Sequence, residues 1–387
     1  MPKSMIFLFD GTANDASAPP NEGIFSRFSN VYAINQLIAD RKKIEGDNIQ
    51  TQITFYLPGI GTKFTVMDRG FLPKKWRSYL FGDGLEQLIL RAYVNLSANY
   101  HVGDEIILIG FSRGAIAARI FSRLISDFGI LSSDMLLNLD PLWSDFVDIS
   151  GVEDNTMYSA RIEELKAKLR AKWGKEVFHV SKDQLIRFLG VFDTVAGPRD
   201  KGLTKYIAFR DLHPAKGVQH AVHIISMHES RSQFELRRFA QVTTPTATIR
   251  EIWLPGVHSD IGGGYSESLI SNISLLTMCF FIRKLGGVAL DLANYKAALA
   301  EVRTQVRADR FVVNPEPNLV NQKKRDGLVS EQDELHPLHW YLLNRQDNIF
   351  WKDGNLARRK LYVNRLGKLG KQATDLRHSF DEWISQA

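Results

Sequence analysis

Three polar residues carry the chemistry this sequence offers: Ser112 in GFSRG, Asp193 in GVFDTVAG and His258 in WLPGVHSDIGGGY. A serine hydroxyl is a weak nucleophile until a base removes its proton, and a histidine base needs a carboxylate to hold its tautomer. Together they can attack a carbonyl carbon, which is acyl-transfer chemistry. For the acid two positions compete. Asp193 and Glu229 each follow a predicted strand, and residue types alone leave both open. His258 also follows a strand, in a loop where Gly262, Gly263 and Gly264 admit close backbone approach.

Ser112 stands where a run of strand formers, EIILIGF, becomes a helix at Arg113 without a break. Gly-x-Ser-x-Gly on such a strand-to-helix turn is the nucleophile elbow of α/β-hydrolases, with chain order Ser, acid, His. The turn leaves no room for side chains beside the serine, and Gly110 and Gly114 supply that room. Once the helix begins, the Arg113 N–H is placed to stabilise an oxyanion. The second donor is expected from the FDGT loop, as the N–H of Gly11 or Thr12. Asp10 and Asp260 have two readings: bracing the glycine loops by accepting backbone hydrogen bonds, which is preferred, or holding a divalent cation with Asp193. Without a tight cluster of ligands, no metal and no cofactor are expected. Arg113 likewise has two readings, an ion pair with Asp10 or Asp260, or a forked donor to a substrate phosphate.

Two other classes compete. FDGT is similar to the DxDGT start of haloacid-dehalogenase phosphatases, whose nucleophile is the first aspartate, but Leu8 stands at that position. A protein that uses the fold only to bind a partner is the other, and the intact Ser, Asp and His set argues against it.

The elements that must position these residues read as alternating strands and helices. Apolar runs at Ser4 to Phe9, Gln52 to Leu57, Glu105 to Ile109, Leu185 to Phe192, Ala221 to Met227 and Thr248 to Leu254 predict strands. Helices are predicted at Asn30 to Ile38 and Leu85 to Leu96, where Leu85, Leu88, Ile89, Ala92, Tyr93 and Leu96 share one face. The fold class is therefore α/β, a doubly wound, mostly parallel sheet of α/β-hydrolase type with a helical insertion and a helical C-terminal region. Residues 1–286 form the hydrolase domain, 131–183 a helical insertion that is either a cap over the site or a solvated helix face, and 287–387 a helical C-terminal extension. At 387 residues, with 44% hydrophobic and 24% charged residues, the chain has the composition of a globular protein with a substantial core. Its net charge of +6 is a mild attraction to anionic surfaces. The lone Cys279 lies in an apolar run and is expected in the core, which fits folding in a reducing cytoplasm. The apolar N-terminus ends in Asp10 and Gly11 and reads as a first strand rather than a signal peptide, and no apolar run is long enough to span a bilayer.

FDGT with SNVYAINQL, LPGIGT, IGFSRGAIAAR, GVFDTVAG, HIISMHESRSQF and WLPGVHSDIGGGY together resemble a bacterial α/β-hydrolase domain family, long of unknown function, that includes type VI secretion phospholipase effectors of lipase family one. The resemblance runs from Asp10 to Tyr265. It implies hydrolysis of ester bonds in glycerophospholipids, with Ser112, Asp193 and His258 matching the family's triad, and so favours Asp193 over Glu229. It also implies a phospholipid or other ester substrate, peripheral membrane contact, and an immunity protein and a secretion spike as partners, with no nucleic acid. The implied route is synthesis in the bacterial cytoplasm followed by type VI secretion. The chain departs from the family at Ala13, where an aromatic residue is usual, and at HESR, where a DERR-like segment is usual.

Overall fold

Near-continuous apolar runs make strands that are covered on both faces. The first, β1 (Ser4–Phe9), is buried throughout, with Met5, Phe7 and Phe9 in one core and Ile6 and Leu8 in the other. The computed structural model describes residues 2–12, 28–44, 48–60, 84–152, 154–173, 177–179, 185–195, 213–232, 234–239, 247–308, 311–313, 325, 328–331, 333–344, 350–351, 371–372, 376 and 379–386. After β1 come α1 (Asn30–Leu37), β2 (Arg41–Lys43), β3 (Ile49–Leu57), α2 (Leu85–Asn99), β4 (Glu105–Phe111), α3 (Arg113–Phe128) and β5 (Ile130–Leu131). Then follow α4 (Leu139–Ser150), α5 (Asn155–Trp173), β6 (Phe178–His179), β7 (Ile186–Phe192), β8 (Val218–Ser226), β9 (Thr248–Leu254), α6 (His258–Gly262) and α7 (Leu269–Lys284). The last are α8 (Leu292–Arg307), β10 (Val312–Val313), β11 (Glu334–Leu335), α9 (Leu338–Asn344), β12 (Phe350–Trp351), β13 (Lys371–Gln372) and α10 (Phe380–Gln386).

Among the described residues nine strands form one sheet in the order β13-β11-β9-β8-β7-β4-β1-β3-β2. Every pairing in it is parallel except β2 with β3. Helices α2 and α3 cover the Phe7 face with Leu88, Ile89, Ile120 and Phe121. On the Leu8 face lie α1, α7 and α8, with Ile34, Leu276, Phe281 and Leu299. Cys279 sits in that second core, its thiol pushed up to about 12 by burial. Within the described residues no helix is long and apolar enough to cross a membrane.

The winding order locates the site. From β1 the chain passes to β3 on one side, then returns to lay β4 on the other side of β1. The crevice at the carboxyl ends of β1 and β4 is therefore the switch point where sheets of this kind hold their ligands. Ser112 follows β4 at that edge, and Asp10, Gly11 and Thr12 follow β1.

Of the two readings of 131–183, the described part fits the solvated helix face, because it packs at the end of α2 and α3 away from Ser112. Ser97 donates to the Leu131 carbonyl at 2.6 Å, Tyr93 to the Gly129 carbonyl at 2.8 Å, and Arg123 to the Ser150 hydroxyl at 2.9 Å. Tyr158 donates to Asp127 at 2.5 Å. At 1.5 Å per residue, Arg123 already lies roughly 16 Å along the helix from Ser112. A polar helix is equally well solvated at either end of a sheet, so its composition does not say which end it occupies. Residues 180–184 lie outside the described residues.

In 287–387, expected as a helical C-terminal extension, the described part holds α8, α9 and α10 and also adds β11 and β13 to the main sheet beside β9. Leu335, Leu338, Leu376 and Trp383 join the core that holds Leu8 and Ile224. Each such side chain contributes about 1.5–3 kcal/mol through burial, so this region is part of the same folded body. The pairing of Glu334 with Ile252 and Leu335 with Trp253 involves two residues of β11, too few to show a period of two.

Candidate active site

The elbow is built as a backbone constraint. Ser112 has φ 57° and ψ −123°, a region unfavourable for a residue with a Cβ. Its N–H donates to the Phe192 carbonyl on β7 at 3.1 Å, and its carbonyl accepts from Ala115 N–H at 3.2 Å. A Cβ at Gly110 would lie 2.6 Å from the Gly114 carbonyl oxygen, and one at Gly114 would run into the carbonyl oxygens of Phe9 and Asp10. Those oxygens are backbone at the end of β1 and cannot swing aside. Gly114→Ala is accordingly expected to cost about 3 kcal/mol, the upper range for overpacking. Urea unfolding measures it, and a variant as stable as wild type would contradict the close approach.

The three residues singled out from sequence meet here. His258 Nε2 lies 2.9 Å from Ser112 Oγ, and His258 Nδ1 lies 2.6 Å from Asp193 Oδ2. An ionised carboxylate only accepts, so Nδ1 carries the proton and Nε2 is the lone pair facing the serine hydroxyl. All three are buried, Asp193 completely. Phe111 and Phe234 flank the imidazole, each with its ring centroid 4.7 Å away. Their bulk keeps the ring in one plane and limits water around it.

Asp193 is held as tightly as the serine. It has φ 36°, its N–H donates to the Ile224 carbonyl at 2.8 Å, and Oδ1 accepts from the Ser226 N–H at 2.9 Å and hydroxyl at 3.0 Å. Arg325 Nη1 donates to the same oxygen at 2.6 Å. Burial opposes the charge of this carboxyl, but the Arg325 guanidinium and the hydrogen bonds from His258 and Ser226 outweigh it. They hold it well below the usual carboxylate range. The backbone just beyond is pinned from behind. Thr194 N–H donates to His223 Nε2 at 3.1 Å, His223 Nδ1 meets Glu251 at 3.0 Å, and Arg238 donates to Glu251 at 2.8 Å.

Glu229 does not reach the imidazole ring. It is buried and forked by Arg231, with Nε and Nη2 at 3.0 and 2.8 Å, and it accepts from the His258 N–H at 3.3 Å. Burial would raise its proton affinity, but the Arg231 charge and hydrogen bonds lower it. Its contact is with the backbone at the start of α6, so it braces the loop.

Other sequence-selected residues divide by what they bond. Asp10 accepts from the Gly11 N–H at 2.7 Å and from the Tyr56 hydroxyl at 2.6 Å. Asp260 accepts from the Val257 N–H at 3.0 Å, closing the turn before His258. Both thus brace loops. Among the described residues no three His, Cys, Asp or Glu side chains gather closely enough to hold a metal. Because the Gly11 N–H is turned into the Asp10 carboxylate, the donors with no acceptor among the described residues are the N–H groups of Thr12 and Arg113. The Arg113 side chain pairs with neither Asp10 nor Asp260 among the described residues; its Nε donates to the Thr12 hydroxyl at 2.5 Å.

Sequence reasoning missed Arg325, Ser226, Phe111, Phe234 and the pair His223 and Glu251. Arg325 sits in NQKKRDG, which reads as an ordinary basic surface run. Ser226 stands at the end of a predicted strand, but a serine there carries no distinguishing signal.

A doubly wound α/β sheet with a strained serine at its switch point defines an α/β-hydrolase fold. The chain belongs to the family described as type VI secretion system (T6SS), phospholipase effector Tle1-like, catalytic domain, whose model matches residues 3–283. It is 27% identical over 241 residues to an uncharacterised protein of Saccharomyces cerevisiae, covering 60% of this chain and 32% of that protein. Among solved structures it is similar to an uncharacterised protein from Pseudomonas aeruginosa, with TM-score 0.41, 20% identity, and 79% of this chain and 48% of that one covered. It is also similar to a Tle1 effector bound to the VgrG spike of the type 6 secretion system, with TM-score 0.36, 22% identity, and 68% and 51% covered. The chain thus spans between 32% and 51% of the length of these proteins.

Proposed function

We propose that this protein is a serine hydrolase that cleaves carboxylic ester bonds in glycerophospholipids, of phospholipase A type. The observation that carries the reading is the hydrogen-bonded series from Ser112 through His258 to the ionised Asp193, set on a strained elbow. Ser112 Oγ attacks the ester carbonyl while His258 Nε2 takes its proton, and Asp193 stabilises the imidazolium that forms. The Arg113 and Thr12 N–H groups receive the oxyanion. His258 then returns the proton to the leaving alkoxide, and water hydrolyses the acyl-enzyme by the same steps in reverse. The reaction needs no cofactor. Family membership supports the lipid substrate and delivery by type VI secretion; peripheral membrane contact, and a spike and an immunity protein as partners, belong to the same proposal.

Incubating the purified protein with glycerophospholipid vesicles and, separately, with a nitrophenyl acetate, using Ser112→Ala as control, tests the reading. Release of fatty acid by wild type alone is expected. Turnover of the acetate without fatty-acid release would reduce the protein to a simple esterase. Absence of both activities, with no fluorophosphonate labelling of Ser112, would remove the hydrolase reading.

Arg113 bears on head-group choice. Its guanidinium spends Nε on Thr12 beside the oxyanion donors and has no carboxylate partner among the described residues. The remaining donors form a fork suited to a phosphate. Arg113→Gln is expected to lower turnover of phospholipid about tenfold more than turnover of the neutral acetate, on protein shown to be folded. Equal losses on the two substrates would assign Arg113 to holding Thr12 only.

A further inference from the structure

We propose that Arg325, which lies beyond the family-matched region, is a positioning residue for the acid of the triad, so that the catalytic centre is completed by the C-terminal segment; this rests on the hydrolase reading above. The match to the family ends at residue 283, whereas Arg325 reaches back to the carboxyl ends of β7 and β8. Its guanidinium is buried, with 4% of the side chain exposed. Nη1 donates to Asp193 Oδ1 at 2.6 Å and to the Ser226 hydroxyl at 2.6 Å, and it lies 3.4 Å from the Ser226 carbonyl. Nη2 donates to the Phe234 carbonyl at 2.6 Å.

The pattern of contacts separates positioning from simple burial of a charge. Oδ1 of Asp193 is filled by Arg325 and by both donors of Ser226, which leaves Oδ2 to the imidazole. The carboxylate therefore cannot rotate without breaking three bonds on one side. The other arm of the fork fixes the backbone of Phe234, whose ring stands edge-on to the imidazole at 4.7 Å. One planar group thus sets the direction of the acid and one wall of the base. A lysine offers a single point charge and cannot hold both.

The charge has a second effect. The Arg325 cation leads the charges and hydrogen bonds that keep Asp193, the partner of His258, ionised against its burial. The other ionisable groups facing this pair are Glu229 with Arg231, at the His258 N–H, Asp260 on the helix that begins at His258, and Arg113 beside Ser112. Behind Asp193 stands His223 with Glu251 and Arg238. Of the cations among these, Arg325 is the one bonded to Asp193 itself. Removing it raises the proton affinity of Asp193, the carboxylate that holds the His258 tautomer.

The experiment uses the full chain, a nitrophenyl acetate and a fluorophosphonate, with wild type, Arg325→Gln and Arg325→Lys each checked for folding. For the folded glutamine variant kcat is expected to fall about ten- to a hundredfold with KM nearly unchanged, as for a misplaced catalytic group. The lysine variant should recover only part of kcat, since it cannot hold both Asp193 and the Phe234 carbonyl. A folded glutamine variant with undiminished kcat overturns the proposal. If the glutamine variant does not fold, the lysine variant decides: undiminished kcat overturns the proposal, and reduced kcat at wild-type KM supports it. Labelling of wild-type Ser112 keeps the two readings apart. A labelled wild type with inert Arg325 substitutions leaves the hydrolase standing, and an unlabelled, inactive wild type removes both.

Discussion

Ser112→Ala is expected to reduce ester hydrolysis by about a millionfold, the scale on which loss of a triad nucleophile acts, while leaving the fold in place. The substitution removes one hydroxyl, bonded to His258 at 2.9 Å. The Cβ, the backbone bond from the Ser112 N–H to Phe192 and the flanking glycines all remain. A lost hydrogen bond of this kind costs about 1 kcal/mol, too little to unfold a domain with two extensive cores. Ser112→Gly separates chemistry from stability more sharply. At φ 57° and ψ −123° glycine is free of the clash that a Cβ suffers. Relief of that strain, on the order of 1–3 kcal/mol, should raise the thermal midpoint of the inactive protein above that of wild type. An elbow that became more stable on losing its nucleophile would mark the strain as functional. A midpoint lowered by several degrees would mean that the hydroxyl serves the fold instead. Should either variant retain wild-type turnover, another residue performs the attack.

Much of this arrangement is legible in the sequence because the central strands announce themselves. β1, β4 and β7 are largely buried on both faces, so beyond Glu105 and Arg187 at their starts the runs are apolar, and a polar residue at the end of such a run stands out. Ser112 and Asp193 end such runs, whereas His258 is marked by its glycine-rich loop after β9, a strand that carries Arg250 and Glu251. Edges carry less information. β2, β11 and β13 have two or three residues each, and their pairing depends on a neighbour far off in sequence rather than on their own pattern. The location of 131–183 was illegible for a related reason: the handedness and direction of α3 determine which end of the sheet the next residues meet, and Arg123, Phe128 and Tyr158 make contacts that no local period encodes. Arg325 is the extreme case. Its proposed role depends on long-range contacts, with Asp193 132 positions away and with Ser226 and the Phe234 carbonyl, and in sequence it is one cation in a basic run.

The choice between the two carboxylates yields the second large effect. Asp193→Asn keeps the size and most of the bonding of the side chain but replaces an acceptor with an amide that can turn its NH2 toward the imidazole. Nδ1 would then be the acceptor and Nε2 would carry the proton, leaving no lone pair facing Ser112. Loss of the tautomer costs about four orders of magnitude in kcat in triads of this type. The variant also leaves Arg325 buried beside a neutral partner, which is destabilising, so rates are compared on protein shown to be folded. Glu229→Gln behaves differently. Its side chain meets the His258 N–H and Arg231 rather than the ring, so it does not set the ring's tautomer. A loss of at most about tenfold is expected, from slackening of the loop that carries α6. Phosphonate labelling rates for the two variants, measured side by side at neutral pH, should differ by roughly three orders of magnitude. The opposite ranking would place the acid on β8 and require the His258 ring to turn away from Asp193 in the working enzyme.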